Sequence, residues 1–278
     1  MTHFSWATDI HLDHLHDEQQ IIDFATSLVK DNPAGVFLTG DISIAPDLVY
    51  HLSAIERVVQ RPIYFVLGNH DYYNGEIAAV RKQMHELSNM SQFLKYLPET
   101  PYVPLSPTTA VVGHDGWYDC GYGNWKTSSF LMTDWMAIKE FAPLSGGRAG
   151  MHSGNFNRGS IVTLAQKLAH EACVHVQKGI QAAVRYHKTI IVLTHYPPYA
   201  QAHLHRGVPG DDNALPWYTS KLMGDLLTQA AATFPNVSFV VLSGHTHGKT
   251  TFQAAKNLVV HVGGAEYGQP QLQSLITI

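Results

Sequence analysis

The chain has 278 residues, of which 45% are hydrophobic and 14% charged, with a formal net charge of −4. That suits a folded protein with a sizeable core and excludes a disordered or collagen-like chain. The 18 lysines and arginines are scattered, so no basic tract marks a nucleic-acid footprint, and nucleic acid is not the expected partner. Two cysteines, Cys120 and Cys173, lie far apart and outside any paired motif, which argues against a disulfide framework and excludes zinc sites built on cysteine. The N-terminus lacks the pattern of a signal peptide, and no apolar run approaches the roughly 18 residues of a membrane span. A cytoplasmic protein without a membrane partner is expected.

In chain order, strand 2–8 precedes a helix over 18–30 that opens on Asp17 with Gln20 three residues on, a capping-box-like start. Strand 35–40 precedes helix 46–60, with Pro46 in its first turn, and strand 62–67 precedes helix 76–90. This alternation indicates βαβ units and a largely parallel sheet. Residues 98–157 differ: four prolines, then an aromatic, glycine-rich stretch through His114, Asp115, Trp117, Tyr118 and Trp125. They read as an irregular insert and a candidate cap over a site. A long helix over 158–187, strand 189–194, helix 217–232 and strand 238–243 resume the alternation. The tail, with Leu258–Val262 and Leu272–Ile278 as β-rich runs, reads as antiparallel strands forming or extending a second sheet.

Five of these strand-like runs end on metal-ligand chemistry: Asp9-Ile-His11, Gly40-Asp41, Gly68-Asn69-His70-Asp71, His195, and Gly244-His245-Thr-His247. Residues two apart on a strand share a face, so Asp9 and His11 can reach one ion, as can His245 and His247 if extended. One such pair alone reads more readily as a turn feature. Five at strand ends, where open α/β sheets bind ligands, point to a dinuclear centre. Donors drawn from Asp, Asn and His, without thiolate, favour Mn, Fe, Co, Ni or Zn over Ca or Mg.

In this order and spacing the motifs resemble the calcineurin-like metallophosphoesterase superfamily. The resemblance implies an α/β fold: a four-layer αββα sandwich with two mixed β-sheets flanked by helices, here a single domain over 1–278. It implies two divalent metal ions, the first held by Asp9, His11 and His247, the second by Asn69, His195 and His245, with Asp41 bridging. It implies a phosphoester hydrolase acting on a small phosphoester, with a bridging hydroxide attacking phosphorus in line and no covalent enzyme intermediate. His70 is the implied catalytic residue on the leaving-group side. One departure stands out: many members carry an aspartate three residues after the bridging one, where this chain has Ile44. An apolar neighbour cannot support an imidazolium, so Asp47 and Asp71 become candidates to orient His70.

Around the motifs, His114, Trp117, Tyr118 and Arg206 are candidate substrate-binding residues, with His203 and His205 in the same loop as Arg206. His14 and His16 read as exposed. Arg148 and Arg158 are further cations that could fold over the site. His170 and His175 mimic a zinc-protease pair, but five helical residues turn them about 140° apart, so they cannot share an ion. Phosphodiesters are preferred as substrates because no lysine or arginine adjoins any motif to clamp a dianionic monoester. A phosphomonoesterase, a nuclease or a metal-free binding scaffold are the alternatives.

Overall fold

The computed structural model describes residues 2–147, 149–150 and 156–278; Arg148 and residues 151–155 of the expected insert lie outside them. The strands are β1 (His3–Ala7), β2 (Val36–Thr39), β3 (Ile63–Val66), β4 (Leu94–Tyr96), β5 (Val103–Pro104), β6 (Thr109–Gly113), β7 (Thr189–Leu193), β8 (Leu204–His205), β9 (Val208–Pro209), β10 (Ser238–Ser243), β11 (Thr250–Ala255), β12 (Leu258–Val262) and β13 (Ser274–Thr277). The helices are α1 (Glu18–Val29), α2 (Leu48–Val59), α3 (Ile77–Met90), the short α4 (Asp134–Ala137) and α5 (Ala142–Ser145), α6 (Arg158–Ala183), α7 (Leu215–Tyr218) and α8 (Lys221–Thr233).

One sheet runs β13-β1-β2-β3-β4 and a second β11-β12-β10-β7-β6-β5. Alternating side chains build the layers. Phe4, Trp6, Phe37 and Val66 of the first sheet meet Val111, Ile191, Leu193 and Leu242 of the second in a core between them. Ala7, Val36, Leu38, Ile63 and Phe65, on the opposite face, pack with the apolar sides of α1, α2 and α3. Ala110, Val112, Ile190, Val192 and Val241 do the same with α6 and α8. Strands buried on both faces explain the nearly unbroken apolar runs in the sequence. The result is the αββα sandwich, with two mixed sheets.

Local signals hold where side chains close their own structure. The Asp17 carboxylate accepts the Gln20 amide N–H at 2.9 Å and opens α1. The tail pairs antiparallel and extends the second sheet through β11 and β12 as expected, and departs from expectation in two ways. The chain leaves β10, runs back as β11, then reverses into β12, which therefore lies parallel to β10. β13 pairs antiparallel with β1 at the edge of the first sheet, not the second. The expected insert supplies two strands, and β6 sits inside the second sheet, parallel to β7. The expected helix 217–232 is two pieces, because Thr219 is extended and its hydroxyl donates to the Leu215 carbonyl at 2.6 Å. Among the described residues no helix is long and apolar enough to cross a membrane.

Candidate metal centre

Backbone bonds bring the five motif segments to one rim. Asp9 N–H donates to the Gly40 carbonyl at 3.0 Å, His11 N–H to the Asp41 carbonyl at 3.0 Å, and Gly244 N–H to the His195 carbonyl at 2.9 Å. The segments are not extended. Asp9, His11, Asp41, His245 and His247 all take left-handed backbone angles, with φ between 41° and 71°, a conformation that costs non-glycine residues and collects at functional sites. His245 and His247 consequently do not act as a same-face pair; each turns into a different group. Glycines allow the crowding: a Cβ at Gly68 would collide with the Asp41 carboxylate, and one at Gly244 with Asp9.

Two groups of donor atoms result, each within 4.8 Å: Asp9, His11, Asp41 and His247, and Asp41, His195 and His245. In the first, Nε2 of His11 lies 3.1 Å from Nε2 of His247, while Asp41 Oδ2 lies 3.8 Å from His11 and Asp9 Oδ1 3.6 Å from His247. In the second, Asp41 Oδ1 lies 3.3 Å from Nε2 of His195. Asn69 Oδ1 joins it, 3.1 Å from the same nitrogen. Asp41 thus turns one oxygen to each group.

The surroundings set the donors. Nδ1 of His195 lies 2.9 Å from the Thr39 carbonyl, so that nitrogen carries the hydrogen and Nε2 faces the centre. His245 places Nε2 3.4 Å from the Trp217 carbonyl, which leaves Nδ1 as its donor. The His245 backbone N–H and the Thr8 hydroxyl both donate to Asp9, at 2.8 Å each. Asn69 Nδ2 donates to Asp134 Oδ1 at 2.9 Å, and the Tyr73 hydroxyl donates to the same oxygen at 2.7 Å. That turns the Asn69 carbonyl oxygen toward His195.

Electrostatics agree with this donor set. Burial holds His11 and His245 well below the usual imidazole range, and neutral imidazole is the metal-binding form. Burial alone would raise Asp41, but His195, His70 and His11 outweigh it and hold the carboxylate well below its usual range. Burial works to lower His195 as well, yet Asp41, Asp9 and the Thr39 carbonyl raise it to about 10; a bound cation would replace that proton. Nδ1 of His11 is buried with no hydrogen-bond partner. Imidazole, carboxylate and amide donors converging without thiolate fit borderline divalent ions.

His70 sits beside the first group. Its ring stacks on Tyr73 at 4.2 Å and meets His11 edge-on at 4.7 Å, and its Nε2 lies 4.0 Å from Asp41 Oδ2. The expected orienting aspartates serve elsewhere. Asp71 accepts backbone N–H groups from Ile42, Ser43 and Gly68 and so ties two motif loops together. Asp47 sits at the start of α2. Ile44 packs against the core under the first sheet.

The centre opens into a cavity of about 200 Å³ whose walls include His70, Tyr73, Leu131, Met132, Tyr218 and Tyr267. Three of the candidate substrate residues stand elsewhere because they are core. Trp117 stacks on Phe141 at 5.6 Å. Tyr118 accepts the Trp135 indole N–H at 3.0 Å. His114 is buried against His175 at 5.5 Å, which also disposes of the His170 and His175 pair. Arg206 borders a neighbouring cavity, and Arg158 folds back over Trp135, Phe156 and Trp217. The sequence reading did not single out Tyr267, whose ring lies 4.5 Å from His11 and 5.1 Å from His247, or Asp134.

With this geometry, a family model described as calcineurin-like phosphoesterase matches residues 3–249. The chain belongs to the calcineurin-like phosphoesterase family. Such phosphoesterases are hydrolases built on a dinuclear metal centre, and the two donor groups here are the candidate ligands. No curated protein matches the chain in sequence. Solved structures share the fold. The phosphopantetheinyl hydrolase PptH from Mycobacterium tuberculosis is 14% identical with a TM-score of 0.62, over 96% of this chain and 94% of its own. A dimetal phosphatase from Danio rerio is 12% identical with a TM-score of 0.56, over 95% and 87%. The protein TT1561 of Thermus thermophilus is 13% identical with a TM-score of 0.53, over 95% and 89%.

Proposed function

We propose that this chain is a two-metal phosphodiesterase acting on a small substrate. The observation that carries the reading is Asp41, which turns Oδ2 toward the group of Asp9, His11 and His247 and Oδ1 toward the group of Asn69, His195 and His245. Two divalent ions bound there, with Mn, Fe, Zn, Co and Ni all suited to the donors, would neutralise the non-bridging oxygens and make hydroxide available near neutral pH. The protein's part is positional. Asp9 is held by the His245 backbone N–H and Thr8, His195 by Thr39, and Asn69 by Asp134, so the donors are preorganised before substrate arrives.

His70 is the residue to protonate the leaving oxygen. It lines the cavity and stacks on Tyr73, which sets its ring plane, with Asp41 Oδ2 4.0 Å from its Nε2. The diester preference rests on charge. Among the described residues the cavity wall has no lysine or arginine, whereas a dianionic monoester gains from cationic clamps. Leu131 and Met132 bring the 98–157 segment to the wall, in keeping with a cap on a single domain. Two buried free cysteines suit the reducing cytoplasm.

The test is metal analysis of the purified protein together with turnover of bis-p-nitrophenyl phosphate and p-nitrophenyl phosphate in Mn. The expected result is two ions per chain and a higher kcat/KM for the diester. A higher value for the monoester would replace this reading with a phosphatase; no turnover of either with no metal bound would leave a binding scaffold.

A further inference from the structure

A second cavity, of about 390 Å³, adjoins the metal cavity and shares the walls His205 and Tyr218 with it. Its other walls are mainly apolar: Phe130, Val208, Pro209 and Ala214. Phe130 and Tyr218 meet edge to face at 5.7 Å and 77°, a corner that suits a further ring. Val208 is 63% exposed here, and Leu131, on the wall of the metal cavity, is 51% exposed. Apolar side chains left in water along a continuous cleft mark a binding groove more than a random surface.

The cleft is anchored to the metal centre. His205 Nδ1 lies 2.9 Å from the Thr246 carbonyl, between the ligands His245 and His247, and Tyr218 lies 5.0 Å from His245. Of the polar walls, Asp211 is committed, accepting the Asn213 and Ala214 backbone N–H groups at 3.0 and 2.9 Å, while His203 and Arg206 stand with the apolar residues at the lining. The position is specific too. The cavity meets the metal cavity at Tyr218 and His205, with Tyr218 beside His245, whereas His70 packs against His11 and Tyr73 and does not line it.

We infer that this cavity binds the ester arm that stays on phosphorus, and that the arm is a ring-sized apolar, aromatic group. The inference rests on the diester reading above and deepens it, because a monoester has no retained arm to place there. With the leaving oxygen at His70 and phosphorus over Asp41, the retained arm is directed past Tyr218 toward Phe130 and Val208.

The experiment compares phenyl p-nitrophenyl phosphate with methyl p-nitrophenyl phosphate, which share a leaving group and differ in the retained arm. Wild type, Val208→Ser and Ala214→Phe are assayed in Mn. Wild type is expected to favour the phenyl ester in kcat/KM by about tenfold, the scale of a small apolar group in a fitted pocket. Ala214→Phe fills the cavity and is expected to abolish that preference; Val208→Ser strips its wall and is expected to reduce it. The readout in both variants is the ratio of phenyl to methyl ester kcat/KM, with the methyl ester as the internal reference. An unchanged phenyl preference in a folded Val208→Ser and Ala214→Phe overturns the inference, as does equal use of the two esters by wild type. If neither ester is hydrolysed, the diester reading has failed, and the same two esters become calorimetric ligands. Tighter binding of the phenyl ester, lost in Ala214→Phe, then supports the cavity assignment, and equal binding overturns it.

Discussion

The Asn69 side-chain amide is fixed by Asp134, whose Oδ1 accepts its N–H at 2.9 Å from 65 residues along the chain. The contact decides which end of the amide faces His195. Asp134→Ala leaves that amide only the Tyr73 hydroxyl, 3.1 Å away, as acceptor, so the second ion is expected to bind about 10–100-fold more weakly, the usual cost of losing a partner behind a ligand. The first ion keeps its affinity. Asp134→Asn retains an acceptor oxygen and loses less. Titration against a chromophoric chelator resolves the two ions, and two wild-type affinities in Asp134→Ala would refute the role.

Asp41 is the junction between the donor groups, so its loss is expected to outweigh that of Asp134. Asp41→Asn should lower kcat/KM on the better diester by more than about 100-fold and reduce bound metal. Chelation of wild type makes the same point without mutation. Free Mn at about 100 times its Kd stabilises a protein by about 2.7 kcal/mol per site, so a chelator should lower Tm in wild type and much less in Asp41→Asn. Equal Tm losses in the two proteins would contradict the assignment.

For His70 the leaving group is the discriminating variable. p-Nitrophenolate departs without a proton, whereas an alkoxide does not. His70→Ala is therefore expected to slow a dialkyl diester by about 10²–10⁴-fold, the range of general acid catalysis, and bis-p-nitrophenyl phosphate far less. Equal losses on both would make His70 a positioning residue. Tyr73→Ala, which removes the stacked ring, should reproduce part of the effect.

His114 gives the fold an acid sensitivity separate from the metals. Burial lowers it from 6.5 to about 3. The folded ring stays neutral while the unfolded chain takes up a proton below 6.5, so stability is full above that pH and is lost as pH falls toward about 3. The slope from one such group is about 1.4 kcal/mol per pH unit within that window. Urea unfolding at several pH values should show a shallower acid loss in His114→Leu, and an identical slope would remove His114 as the cause.

How far the sequence carried follows from which constraints are local. The strands were legible because each buried one is a short apolar run, the four-layer sandwich through the family resemblance, and the donors because they sit where those runs stop. The backbone turns were not. Five motif residues adopt left-handed φ, in a tertiary crowding that the missing Cβ atoms of Gly40, Gly68 and Gly244 permit. Trp117 and Tyr118 read as pocket residues because aromatic loops supply both pockets and cores; here Trp117 stacks on Phe141 and Tyr118 meets Trp217 edge-on. Asp134 carried no signal, since its meaning lies in Asn69 and Tyr73, far away in the chain. In the tail the antiparallel pairings were legible, but not that β12 lies parallel to β10 or that β13 joins the first sheet, because a strand pattern does not encode its neighbour.

The His245 backbone N–H reaches Asp9 Oδ1 across 236 residues, and His11 meets His247 across the same span. Two segments 236 residues apart are thus partners in one candidate ligand shell. That shell can close only after His247 has left the ribosome. Once closed with an ion, it is a cross-link between the two sheets, of the kind that removes chain entropy from the unfolded state. The metal centre is then also the clasp of the sandwich. A protein synthesised under metal starvation is expected to fold layer by layer and hold its rim open, which makes the rim the place where proteases would first distinguish the metal-free chain from the loaded one.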